Sequence, residues 1–319
     1  MDLQLLVANL TNPTLLFFAL GIVAFLVKSD LEIPPSTVKF ISLYLLFAIG
    51  FKGGQELAHE HLNAQFTAEL LFGMGIASAI PLYTFFLLRG RLGVQNAGAI
   101  AAAYGSVSAV TFVAASGYLE AKELPFSGHM VAIMALMESP AIIVGMVLLM
   151  RYDKEGTTRP SLRHMLHHSL TNGSVLMLIG SLLIGLVADT KQAEGIKPFT
   201  TDIFKGFLAV FLLEMGMVTA ARFGAFRKYG GFVSLVALLL PLANGCAVAG
   251  LSGYITPGVG DRFMFAILAA SASYIAVPAA MRLAAPKADP GLYIPMALGV
   301  TFPMNITLGM PLYYAIVVG

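Results

Sequence analysis

Charge is what this chain has least of. Asp, Glu, Lys and Arg make up 11% of its 319 residues, against 58% apolar ones, and the mean hydropathy is +0.83. A soluble domain carries about 25% charged residues, and no single core absorbs a deficit spread over the whole length, so lipid must solvate much of the surface. A single cysteine, Cys246, excludes any intrachain disulfide. Tryptophan is absent, which leaves interfacial anchoring to tyrosines such as Tyr83, Tyr152, Tyr254 and Tyr293. No Lys or Arg precedes the first apolar run, so the basic region of a signal peptide is missing and a retained first span is expected. Enzyme signatures are also missing: there is no His-Glu-x-x-His and no Gly-x-Ser-x-Gly. Gly73-Met74-Gly75 lacks the Lys-Ser/Thr that a phosphate loop needs. His164, His167 and His168 lie in a basic segment without Cys or carboxylate partners for a metal. A non-enzyme is expected, without cofactors, driven by an ion gradient and not by ATP.

What is present is a series of apolar runs, where roughly 20 such residues cross a bilayer. Reading them against loop signals predicts ten spans, at 12–27, 39–51, 68–88, 95–117, 128–150, 170–187, 203–221, 231–253, 262–281 and 291–317. Most of the 19 basic residues fall in alternate loops, among them Lys28, Arg89, Arg91, Arg151, Arg163, Arg227 and Lys228. Positive residues mark the cytoplasmic side, which puts both termini outside.

The chain then repeats. "LTNPTLLFFALGIVAFLV" at 10–27 matches "LTNGSVLMLIGSLLIGLV" at 170–187, with Asn12 and Asn172 placed as helix N-caps. "LLFAIGFKGG" at 45–54 pairs with "LLEMGMVTAA" at 212–221, and Pro81 with Pro241. Ser106 and Ser108 pair with Ser271 and Ser273, and "ALMESPAIIVGM" at 135–146 with "ALGVTFPMNITLGM" at 297–310. Units of five spans, residues 1–151 and 170–319 joined by a linker at 152–169, must enter the membrane from opposite faces. Inverted repeats of this kind belong to secondary transporters, which bind substrate where the repeats meet. The expected fold is all-α, with ten transmembrane helices in two inverted five-helix repeats and broken fourth and ninth helices.

Two stretches explain why the breaks matter. Tyr-Gly-Ser-Val-Ser at 104–108 and Ser-Ala-Ser-Tyr at 271–274, the latter followed by Pro278, interrupt apolar runs. Non-helical backbone survives at membrane depth only where it lines a cavity or is buried in protein. A broken helix exposes N–H groups at the positive end of a dipole, and serine hydroxyls can donate to an oxyanion without burying a charge. The plainer alternative is that small residues let helices pack closely while serines bond their own backbone. In the fifth and tenth spans, Glu138-Ser139-Pro140 and Thr301-Phe302-Pro303-Met304-Asn305 set proline beside side-chain oxygens. Proline frees an upstream carbonyl, and hard oxygen ligands suit Na⁺. Glu138 is either functional or a protonated packing residue. No span centre holds the Arg or Lys expected for a larger organic anion, and Na⁺/H⁺ exchange would need Glu138 or Glu214 to titrate. Those two carriers, an ion channel and a membrane scaffold are the rival readings.

These motifs, with "MALMESPAIIVG" and "LGVTFPMNITLGMPLYYAI", resemble the cyanobacterial sodium-dependent bicarbonate transporter family over nearly the whole chain. The resemblance implies a Na⁺/bicarbonate symporter serving inorganic carbon concentration. It further implies a homotrimer, an elevator-like core and gate, and a PII-like regulatory protein on the cytoplasmic face. Carried onto this chain, it puts bicarbonate at Gly105, Ser106, Ser108, Thr111, Ser271 and Ser273. The coupling ion, Na⁺, would take Glu138, Ser139, Thr301 and Asn305. The central segment, Arg151 to Ser169, is shorter than the family's usual hydrophilic loop.

Overall fold

The computed structural model describes residues 13–58, 64–153, 173–226, 230–274, 277, 281 and 285–319. Asn12, Asn172, the three linker histidines, Pro278 and all of the central linker except Tyr152 and Asp153 lie outside them. Every regular element among the described residues is helical, and there is no strand among them. In chain order they are α1 (Pro13–Leu26), α2 (Pro35–Ala58), α3 (Ala64–Gly105), α4 (Ala109–Glu120), α5 (His129–Tyr152) and α6 (Gly173–Val187). A short α7 (Thr190–Glu194), α8 (Phe204–Phe226), α9 (Gly230–Leu251), α10 (Val259–Ala270) and α11 (Pro290–Val318) follow.

Six helical runs are long and apolar enough to cross a membrane, and α1 and α6 add two shorter apolar helices. One of the six, Ala64–Glu120, counts 57 residues. As a straight helix it would reach about 85 Å against a hydrocarbon core of ~30 Å, so it has to turn back. It does so at Gly93, whose φ of 78° and ψ of 164° suit glycine and few other residues. The limb that follows is rich in alanine, the best helix former, and Ala97 and Ala99 to Ala103 are fully buried. Small side chains let this limb lie against α5: a Cβ on Gly145 would meet that of Ala102 at 2.7 Å.

The sequence reading ended the second span at residue 51, whereas α2 continues to Ala58. Lys52 and Glu56, expected in a loop, sit on its last turns and line a wide cavity of about 270 Å³ with Ser116, Glu120, Thr200 and Thr201. A helix that borders water can afford charge on one face. The tenth span also departs from simple helix. Pro295 and Pro303 do not break it but open it into π-helical turns at Met296–Thr301 and Asn305–Gly309, a form frequent at functional sites.

The helices associate in two groups. α1 packs along α8, α2 along α6, and α8 touches α2. In the first pair a Cβ on Gly21 would meet the Leu213 carbonyl oxygen at 2.0 Å; in the second, one on Gly54 would meet that of Leu182 at 2.1 Å. The other group joins α3 to α5, α9 to α10 and α11, and α4 to α10. Its two ends are pinned by polar ties. At one end His129 bonds Glu69, and Asp261 accepts from the Ser127 amide (2.7 Å) and hydroxyl (2.8 Å). At the other, Gln95 and Asn96 side-chain oxygens accept from the amides of Lys287 and Asp289, both at 2.8 Å.

Candidate functional site

The first break follows Gly105 and the second follows Ala270. Residues 94–105 and the 12 residues of α4 each span about 18 Å of helix, which sets residues 106–108 close to the middle of a ~30 Å layer. There the two interrupted segments meet. The Ser273 amide donates to the Ala103 carbonyl at 2.8 Å, and the Ser108 amide donates to Ser271 Oγ at 3.0 Å. Each break thus supplies the hydrogen-bond partner that the other has lost, as buried backbone requires.

The four serines are not equivalent. Ser271 Oγ donates to the Leu268 carbonyl at 2.9 Å, so its one hydrogen is used within the protein. Ser108 Oγ accepts from the Thr111 amide at 3.2 Å as the N-cap of α4. Ser273 Oγ accepts from the Val277 amide at 3.4 Å. Neither hydroxyl donates to a backbone carbonyl among the described residues, and the Tyr274 hydroxyl stands beside Ser108 as one acceptor for its hydrogen. Ser106 Oγ is buried with no partner among the described residues.

Ser108 and Ser273 line a cavity of about 60 Å³, where ~10–15 Å³ admits one water. Val107, Ala109, Val110 and Val113 form its wall on the α4 side, Met134, Ala135 and Glu138 come from α5, and Tyr274 closes it. Ser42, Leu45 and Leu46 of α2, Leu178 of α6 and Phe211 of α8 complete it from the first helix group. The cavity therefore lies between the two groups. The first amides of α4 have no partners inside the helix, and they border it. Among the described residues that line it there is no Lys, Arg or His.

Of the expected anion residues, Ser108 and Ser273 face this cavity, while Gly105, Ser106, Thr111 and Ser271 are buried beside it in the crossing. Gly105 has no room for a side chain, since a Cβ would meet Pro81 Cγ at 2.1 Å. The expected Na⁺ residues separate. Glu138 lines the cavity with the serines, and its neighbour Ser139 is half-buried outside the lining. Thr301 bonds the Tyr104 hydroxyl at 2.8 Å and donates to the Ala237 carbonyl at 2.7 Å. Asn305 Nδ2 donates to the Ala270 carbonyl at 2.7 Å, and its Oδ1 accepts from Tyr313 at 3.1 Å. Thr301 and Asn305 thus brace the breaks from α11, outside the cavity.

Tyr104 and Tyr274 stood inside the two stretches already singled out but were given no role, and Tyr313 was missed; its only signal is a hydroxyl within an apolar run.

No curated protein matches the chain in a sequence comparison. Residues 13–318 match the model of one protein family, which covers both helix breaks and the cavity between the helix groups, and the chain belongs to that family, the Na⁺-dependent bicarbonate transporter superfamily.

Proposed function

We propose that this protein is a symporter that carries bicarbonate inward with Na⁺ across the plasma membrane, by alternating access with an elevator-like movement, in the service of inorganic carbon concentration. The observation that carries the reading is the cavity at the crossing of two broken helices. It offers two hydroxyl donors not committed to the backbone and a helix N-terminus, with no basic side chain among the described lining residues, in a space suited to a small anion. A larger organic anion would want both more volume and a fixed cation.

The packing supports a ten-helix inverted repeat. Helix α1 pairs with α8 while α2 pairs with α6, which is the exchange expected if α6 and α8 are the second copies of α1 and α2. The cavity lies where these four helices face the rest, the boundary along which one body would slide past the other. With both termini outside, the wider cavity opens outward. It shares α2, α4 and α5 with the smaller one, about a turn away at Val113 and Ser116 and at Met134 and Val131. That is the access path of an outward-facing carrier. A homotrimer and a PII-like cytoplasmic partner complete the proposal, on the strength of the family resemblance.

The test is labelled-bicarbonate uptake into proteoliposomes at fixed pH and clamped voltage, with and without an inward Na⁺ gradient. Uptake that follows the gradient and collapses with a Na⁺ ionophore supports symport. Proton movement in place of bicarbonate, uptake of organic anions alone, or ohmic current beyond carrier turnover would point to an exchanger, an organic-anion carrier or a channel.

A further inference from the structure

Glu138 is 8% exposed and lines the anion cavity itself. No hydrogen bond or ion pair reaches its carboxyl from any described residue. A lone carboxylate is an odd wall for an anion site: it repels the ligand, and in apolar surroundings it is costly to keep. The oddity resolves if the anion brings its own proton. Bicarbonate is a planar monoanion with two acceptor oxygens and one O–H. The acceptor oxygens meet the hydroxyls of Ser108 and Ser273 and the first amides of α4. The O–H needs an acceptor, and Glu138 is the only carboxylate among the described lining residues. An O–H···O⁻ bond is charge-assisted and about twice as strong as a neutral one. The Na⁺ carried with the anion offsets the added negative charge.

We propose that Glu138 makes the site selective for a small anion that carries a hydrogen-bond donor, so that bicarbonate is accepted and nitrate, of similar shape and charge but without a proton, is refused. The inference rests on bicarbonate uptake as proposed above. In a site built to bond a substrate hydroxyl, an analogue lacking it leaves the buried partner unpaired and is strongly rejected.

The experiment is competition in proteoliposomes: labelled-bicarbonate uptake at rising nitrate, for the wild type, Glu138→Gln and Glu138→Asp. A ratio of two anions in one protein is insensitive to how much of it is folded. The wild type is expected to ignore nitrate. Glu138→Gln, which loses the charge and gains an N–H donor, is expected to be inhibited at nitrate concentrations lower by about tenfold or more. Glu138→Asp, which keeps the acceptor, should still exclude nitrate. Equal nitrate inhibition in wild type and Glu138→Gln overturns the proposal. So does a Glu138→Gln protein whose Na⁺ requirement shifts while the anion ratio stays fixed, since Glu138 would then serve the cation. A glutamine variant that transports neither anion is taken to equilibrium binding in detergent; if it binds neither there, selectivity is not what Glu138 provides. A wild type that takes up no bicarbonate fails earlier, and removes the proposed function along with this inference.

Discussion

The two helix breaks solve one problem with different chemistry. The first has a glycine and a true cap: Gly105 lets the chain pass against Pro81, and Ser108 closes the first turn of α4 with its own hydroxyl. The second has no glycine. Ser271 leaves α10 in extended backbone (φ −84°, ψ 167°) that any residue adopts, and Asn305 of α11 takes the carbonyl of Ala270. Both breaks lean on α11 and on each other, but the first also carries a cap of its own, while the end of α10 depends on Asn305. Cavity donors are divided evenly, one hydroxyl from each, so a cavity between two breaks can be shared even when the breaks are held differently.

The contrast is easiest to break at Gly105. Gly105→Val would drive a branched side chain into Pro81, which is ring and helix backbone and has little room to yield. Overpacking of this kind costs about 1–3 kcal/mol, and here it also displaces Ser106 to Ser108. We expect the largest loss of thermal stability of any variant named here, with uptake abolished. A protein of wild-type melting temperature in detergent would show that the first break is not held locally. Serine substitutions sharpen the comparison next. Ser271→Ala deprives the buried Ser108 amide of its acceptor, a cost of about 1–3 kcal/mol. Ser273→Ala removes only a long bond of 3.4 Å, so stability should stay within about 0.5 kcal/mol while uptake falls at least tenfold. Melting curves and initial rates on the same preparations separate the two. Equal losses of stability in both variants would dissolve the distinction between bracing and binding serines.

Much of this architecture is legible in the chain because apolar length and helix-breaking hydroxyls are local properties. The runs around α5, α8, α9 and α11 fall within a few residues of their expected bounds. Ser108 and Ser273 stand out for the same reason, being polar and small where lipid-facing helix would be neither. What escapes is whatever depends on a neighbour. The extension of α2 through Lys52 and Glu56 was hidden, because charge reads as loop until a wide cavity is known to lie beside it. The Glu138 side chain could be placed on a span but not in a cavity, since helical spacing says which residues share a face and not what faces them. Tyr104 and Tyr313 had no role legible in the chain, since only the fold brings their hydroxyls to Thr301 and Asn305.

Asn305 gives the smallest and most discriminating effect. Both ends of its amide are committed, the Nδ2 to the Ala270 carbonyl and the Oδ1 to the Tyr313 hydroxyl. Tyr313 also reaches the carbonyl of Pro241 at 3.4 Å. Around this side chain stand the loosened carbonyls of a π-helical turn and the last carbonyl of α10, which are hard oxygen donors of the type Na⁺ prefers. Asn305→Ala would lose one oxygen of such a set and slacken the second break, while substituting no residue that lines the cavity. The expected result is a maximal bicarbonate rate near wild type, reached only at about fivefold higher Na⁺, the equivalent of ~1 kcal/mol for one hydrogen-bonding group. If half-maximal Na⁺ is unchanged and the rate falls instead, Asn305 is a brace for the break. In that case the second break is held from α11 for structural reasons alone, and a coupling ion must be sought nearer Glu138.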